Sequence, residues 1–148
     1  MNDSLPIESF TGQYRWLSNF WPCLVTLDGV QYSTVERAYQ AAKTLDPIAR
    51  DAIRFTHTPG RAKLLGRQLV LREDWSSVRL GIMESLVREK FSDPLLGCYL
   101  RETAPRRLVE GNDWGDDFWG ATRNPSGRLT GQNHLGEILT RVREELLT

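Results

Sequence analysis

Apolar residues recur along this chain at two spacings, every second position in a few short runs and every third or fourth in several longer ones. Val25-Thr26-Leu27 and Val30-Gln31-Tyr32 alternate on either side of Asp28-Gly29, which predicts a tight β-hairpin. The second strand runs directly into residues 33–43, where Val35, Ala38 and Ala42 mark the apolar side of a helix that should end near Leu45, ahead of Pro47. Asp46-Pro47, Thr58-Pro59 and Asp93-Pro94 each read as an N-cap followed by proline at the first helical position, and predict three further helix starts. The first of these helices should turn Ile48, Ala52 and Ile53 inward. The second is closed by Gly66, and the third buries Leu95, Leu96, Tyr99 and Leu100 before Pro105. Residues 77–91 form the clearest amphipathic helix, with Val78, Ile82, Leu86 and Val87 on its buried side. Residues 133–147 should be helical from an asparagine cap, burying Leu135, Ile138, Leu139, Val142 and Leu146.

Short strands are expected at residues 7–10 and 107–110. Two stretches follow neither period. Residues 14–22 place four aromatic rings among small polar residues, as a strap against the core or as a flat surface for a planar ligand. Residues 111–132 are rich in Gly, Asn, Asp and Trp, and a patternless segment of this length inside a compact domain is often functional. The sum is a mainly α fold with a minor β part: a single compact helical domain over residues 1–148 with a small β-hairpin or sheet.

Composition narrows the function classes. Nineteen basic and nineteen acidic side chains cancel, so no global field draws the chain to nucleic acid or to an anionic membrane, and any phosphate recognition has to be local. Arg61, Lys63 and Arg67 are one such local basic cluster. Cys23 and Cys98 stand alone, without metal-ligand spacing, and only His57 and His134 could join them, so no metal site is expected. The first residues show neither a signal peptide nor a membrane span, which points to the cytoplasm and reduced thiols.

Chemistry concentrates in two places. At about 100° per residue, seven positions make almost two turns, so Glu36 and Lys43 project from nearly one line of the first helix with Tyr39 and Gln40 between them. Ser33-x-x-Glu36 equally fits a capping box, in which the glutamate serves its own helix start. In the second place, Glu110-Gly111-Asn112-Asp113-Trp114-Gly115-Asp116-Asp117-Phe118-Trp119-Gly120 sets tryptophans among carboxylates, suited to stacking on a heterocycle and to holding ribose hydroxyls or a developing positive charge. Anchoring of a loop to the core is the alternative there. The turn 127–133, running to Asn133, offers glycine flexibility and free N–H groups before a helix, which suits a phosphate or a plain cap.

Leu17-Ser18-Asn19-Phe20, Thr34-Val35-Glu36 with Tyr39-Gln40-Ala41-Ala42-Lys43, Lys90-Phe91, Leu108-Val109-Glu110, Asp116-x-x-Trp119-Gly120 and Gly131-x-Asn133-x-Leu135-Gly136 together resemble the YbiA-like or NADAR family in order and spacing, over about residues 10–145. The resemblance implies an N-glycosidase that cleaves a ribose C1′–N bond. Its substrate would be a ribosylaminopyrimidine phosphate of riboflavin synthesis or ADP-ribosylated guanine, free or in nucleic acid. No cofactor and no metal are implied. Glu36 would be the general acid/base and Asp116 would bind ribose or steady the cation. Lys43 would attack C1′ as a Schiff-base nucleophile, or anchor phosphate. Trp114 and Trp119 would stack on a base, and Ser18, Asn19, Phe20, Tyr39, Gly120 and Asn133 would complete the binding surface. A catalytically silent ADP-ribose or nucleotide reader is the alternative. The chain departs from the family pattern at Arg37, where histidine is usual, and after Gly120, where no second glycine follows closely. Both departures bear on substrate choice.

Overall fold

In a computed structural model that describes residues 4–148, the elements run in chain order as a short 3-10 helix and then β1 (Pro22–Leu27), β2 (Val30–Thr34), α1 (Val35–Ala42), α2 (Pro47–Arg54), α3 (Pro59–Gly66), α4 (Trp75–Lys90), α5 (Pro94–Glu102), β3 (Gly111–Asn112), β4 (Ala121–Arg123), β5 (Leu129–Thr130) and α6 (His134–Leu147). Helix dominates, as the periodicity predicts. Contacts gather into two compact units, one of residues 19–90 and the other of the N-terminal stretch to Ser18 with Phe91–Thr148.

The unit of residues 19–90 is built around α1. Asp28 and Gly29 take φ of 47° and 81°, the pair of positive values that a two-residue hairpin turn requires, and the strands pair antiparallel with Val25 opposite Tyr32 and Leu27 opposite Val30. Val25, Leu27, Tyr32 and Thr34 face inward. The helix cap is Thr34 rather than Ser33: its side chain accepts the Arg37 N–H at 3.0 Å, and Ser33 stays in β2. All eight residues of α1 are buried, because α2, α3, α4 and both strands pack around it.

The proline-led helices start where expected, with Asp46, Thr58 and Asp93 each accepting a backbone N–H as cap. Their faces differ from the pattern. Ile48 is 80% exposed and Ala52 is also at the surface, so Ile53 alone anchors α2. In α5, Leu96 and Leu100 are buried while Leu95 and Tyr99 are exposed. An eight- or nine-residue helix touches its neighbours along one narrow line, too narrow for every apolar residue it carries. The long helix α4 begins at Trp75 and buries Trp75, Met83, Leu86, Val87 and Lys90, with Val78 and Ile82 only half-buried. Lys90 follows Met83 by seven residues and so falls on the buried row despite its charge.

In the other unit, the start of the stretch 14–22, expected to follow no period, falls in the 3-10 helix Gly12–Leu17. The strands expected at 7–10 and 107–110 reduce to one parallel bridge between Ile7 and Leu108. Residues 111–132 are not patternless: they form a three-stranded sheet in the order β3-β4-β5, parallel between β3 and β4 and antiparallel between β4 and β5. Helix α6 buries Leu135, Ile138, Leu139 and Val142 as expected, but Leu146 only in part. Arg143 is buried too, its guanidinium donating to Thr103 Oγ1 at 2.9 Å and the Arg106 carbonyl at 2.8 Å.

Candidate active site

The polar face of α1 is the strongest chemical feature of the unit of residues 19–90. With Thr34 as cap, Glu36 falls at the second helical position, one short of the position from which a capping-box glutamate reaches back. Its carboxylate Oε1 instead accepts from Gln40 Nε2 at 2.8 Å, one turn along, and its backbone N–H donates to the Asn19 carbonyl at 3.1 Å. The Gln40 carbonyl oxygen is buried with no hydrogen-bond donor, so the orientation of the amide is set by Glu36. Gly66 of α3 lies against that amide, where any Cβ would collide with it.

Lys43 caps the C-terminal end of α1, half-buried, with its Nζ 5.6 Å from the centre of the Tyr39 ring. Tyr39 in turn packs against Trp75 at 5.2 Å between centroids. Burial lowers the pKa of the Lys43 amine. The nearby Glu36 carboxylate pulls it back up, and Arg67 and Lys63 push it down again, with a net result below the ordinary lysine value. The expected line of Glu36, Tyr39, Gln40 and Lys43 along one helix face is therefore present.

Arg37, the departure from the family pattern, is buried and faces away from this chemistry. It donates from Nε to Thr56 Oγ1 at 3.3 Å, from Nη2 to the Thr56 carbonyl at 3.1 Å and from Nη1 to Thr34 Oγ1 at 3.3 Å, which ties α1 to the end of α2. Asn19 is buried with its amide 3.5 Å from Met83 Sδ, and Phe20 is 42% exposed. Sequence reasoning named Lys90 only within the Lys90-Phe91 motif and did not foresee its burial: it is 2% exposed, and burial brings its pKa down to about 8. The buried row through Met83, Leu86 and Val87 was the signal that could have found it.

In the other unit, polar side chains near the tryptophans serve the backbone. Asp116 Oδ1 accepts the Phe118 and Trp119 N–H groups at 3.1 and 2.9 Å, and Asn112 brackets the same turn by accepting from the Asp116 N–H and donating to its carbonyl. Oδ2 of Asp116 remains available. Trp119 is half-buried against Phe118, with ring centroids 4.9 Å apart, and Gly120 admits no Cβ because the Glu110 carbonyl fills that space. Asn133 takes φ of 50° and does not cap α6 with its side chain. Its amide accepts from the Glu110 N–H and donates to the Leu108 carbonyl, both at 3.0 Å. Ser18 ends the 3-10 helix, its N–H on the Arg15 carbonyl. Trp114 is 57% exposed and lines a cavity of about 560 Å³ together with Glu8, Asn112, Asp113, Thr122 and Arg123. Neither Asp116 nor Trp119 belongs to its lining.

Among the described residues no three or more His, Cys, Asp and Glu side chains are gathered as metal ligands, and no helix is long and apolar enough to cross a membrane.

Comparison with known proteins puts this geometry in context. The family model described as the NADAR domain matches residues 8–147. The N-glycosidase YbiA of Escherichia coli is 36% identical over 143 residues, covering 93% of this chain and 85% of that one. A riboflavin biosynthesis protein of Vibrio vulnificus is 36% identical over 136 residues, 90% of this chain but 36% of that one. The solution structure of E. coli YbiA superposes with a TM-score of 0.81 at 34% identity, covering 99% of this chain and 87% of that one.

Proposed function

The chain belongs to the NADAR domain family, and from that premise we propose its reaction in detail: an N-glycosidase, it hydrolyses the bond between a ribose C1′ and a nitrogen. The substrate is a ribosylaminopyrimidine phosphate of riboflavin synthesis or an ADP-ribosylated guanine. The observation that carries the proposal is the face of α1, where a buried glutamate held by Gln40 shares a helix with a lysine whose amine is pushed toward its neutral form. Names of relatives support it, one an N-glycosidase and one a riboflavin biosynthesis protein.

Glu36 protonates the ring oxygen, and the ribose opens to an iminium between C1′ and the substrate nitrogen. The neutral Lys43 amine adds to C1′. Glu36 takes the proton this addition releases and passes it to the departing nitrogen, whose bond to C1′ breaks with both electrons going to nitrogen. The Schiff base left between C1′ and Lys43 is hydrolysed by water, freeing the sugar and restoring the amine. Asn19, Phe20 and Tyr39, in the same unit as Glu36 and Lys43, shape the binding surface. Asn133 acts through the backbone at Leu108 and Glu110 that its amide ties down.

Incubation with ribosylaminopyrimidine phosphate and, separately, with DNA carrying ADP-ribosylated guanine, read by mass spectrometry, tests the proposal. Release of the free base or amine from either supports it and selects the substrate. Intact substrate in both, with a folded enzyme, overturns it.

A further inference from the structure

Resting on that reading, we infer that the C-terminal end of α3 is a phosphate subsite, in which Arg67, with Lys63 one turn before it, receives the phosphate on the 5′ carbon of the ribosyl substrate. Between Asp51 and Glu73 the chain carries no carboxylate but five cations, Arg54, Arg61, Lys63, Arg67 and Arg72, in a protein whose charges otherwise cancel. Arg54 and Arg72 are engaged elsewhere, and Lys63 is partnered as well. Arg54 donates to the Gln31 carbonyl at 2.7 Å and lies over the Phe55 ring, and Arg72 is paired with Asp74 at 2.6 Å. Arg67 is exposed, and among the described residues its guanidinium has no acceptor.

The backbone places this cation beside the chemistry. Gly66 lies against the side-chain amide of Gln40, the residue that holds Glu36, in space that a Cβ would fill, so the last turn of α3 sits beside α1. Six residues on, the Arg72 N–H donates to the Lys43 carbonyl at 2.8 Å and Arg72 Nη1 reaches the Ala42 carbonyl at 3.4 Å. Residues 67–72 are thereby tethered at both ends to α1, with Arg67 at the end that meets Gln40. Its charge and that of Lys63 are felt at the Lys43 amine. The two positive charges repel one another, and a phosphate held by both offsets that repulsion. The planar guanidinium suits two oxygens of one phosphate. The chemistry common to both candidate substrates is a phosphate on ribose C5′, as a monoester in one and within a pyrophosphate in the other.

Calorimetric titration of the full chain with ribose, ribose 5-phosphate and ADP-ribose tests the subsite without requiring turnover. Wild type should bind one or both phosphorylated sugars roughly ten- to a hundredfold more tightly than ribose. Arg67→Ala should lose most of that preference while keeping its affinity for ribose and its melting temperature, with Lys63→Ala weaker in the same direction and Arg67→Lys intermediate. Equal binding of ribose and both phosphorylated sugars by wild type, or an undiminished preference in Arg67→Ala, overturns the subsite. N-glycosidase turnover measured in parallel on the wild type separates the two readings: its absence counts against the proposed reaction, whereas the phosphate preference stands or falls on the titrations alone.

Discussion

Helix α1 and the segment from Gly111 to Asn133 both carry polar side chains among buried apolar ones, and they use them in opposite ways. On α1 the backbone is satisfied by the helix itself and by the Thr34 cap, so the side chains of Glu36 and Gln40 bond one another and the Gln40 oxygen is left without a donor. In the second segment the strands are only two or three residues long, and the backbone would be left wanting without help. Asn112, Asp116 and Asn133 supply it, with most of their hydrogen-bonding capacity directed at main-chain groups. A regular element frees side chains for chemistry, whereas an irregular one consumes them. The proposed chemistry therefore rests on Glu36 and Lys43, whereas Asp116 is engaged in holding its own turn.

The largest effect should come from Glu36→Gln. It should lower single-turnover cleavage by about 10² to 10⁴, the range of general acid–base catalysis, with the melting temperature little changed. Activity retained within a factor of about three would remove Glu36 from the reaction and favour a silent binding module. Next is Arg37→Ala, which removes the guanidinium bonds that tie α1 to Thr56 and should cost about 2–3 kcal/mol by denaturant unfolding. A change in substrate preference without loss of stability would return Arg37 to the role its place in the family pattern suggested. Asp116→Asn keeps an oxygen for the Phe118 and Trp119 N–H groups, so stability should hold, whereas Asp116→Ala should lose about 1–2 kcal/mol by denaturant unfolding. Equal stability in both variants would remove Asp116 from the support of that turn.

The smallest effect is electrostatic. Lys90 titrates near 8 when folded, below its ordinary value of 10.5, so above about pH 8 the unfolded chain binds more protons and stability rises with pH. Burial raises the pKa of the Cys23 thiol above 9.0, which works the other way once the unfolded thiol ionises. Between pH 8 and 9 Lys90 should add about 1 kcal/mol, and Lys90→Met should remove that slope from the pH profile of unfolding. An unchanged slope in the variant would place the Lys90 titration elsewhere.

The same contrast explains what could be read from the chain before its structure. The Asp28-Gly29 hairpin, α1 and three proline-led helix starts were legible, because local φ, ψ and capping chemistry decide them. The line of Glu36 and Lys43 was legible because helix geometry fixes it. Which apolar residues of α2 and α5 meet a neighbour was not, since that depends on where other elements pass. The small sheet was invisible because strands of two residues cannot alternate, and what holds them is the side-chain chemistry of Asn112 and Asp116. Asn133 looked like a helix cap, yet its amide reaches Leu108 and Glu110, more than twenty residues back.

Borohydride reduction during turnover, followed by peptide mass spectrometry, tests most directly whether α1 carries the chemistry. A ribosyl adduct should appear on Lys43 and vanish in Lys43→Ala. Substrate that turns over without leaving an adduct on Lys43, or one trapped on another lysine, would contradict it.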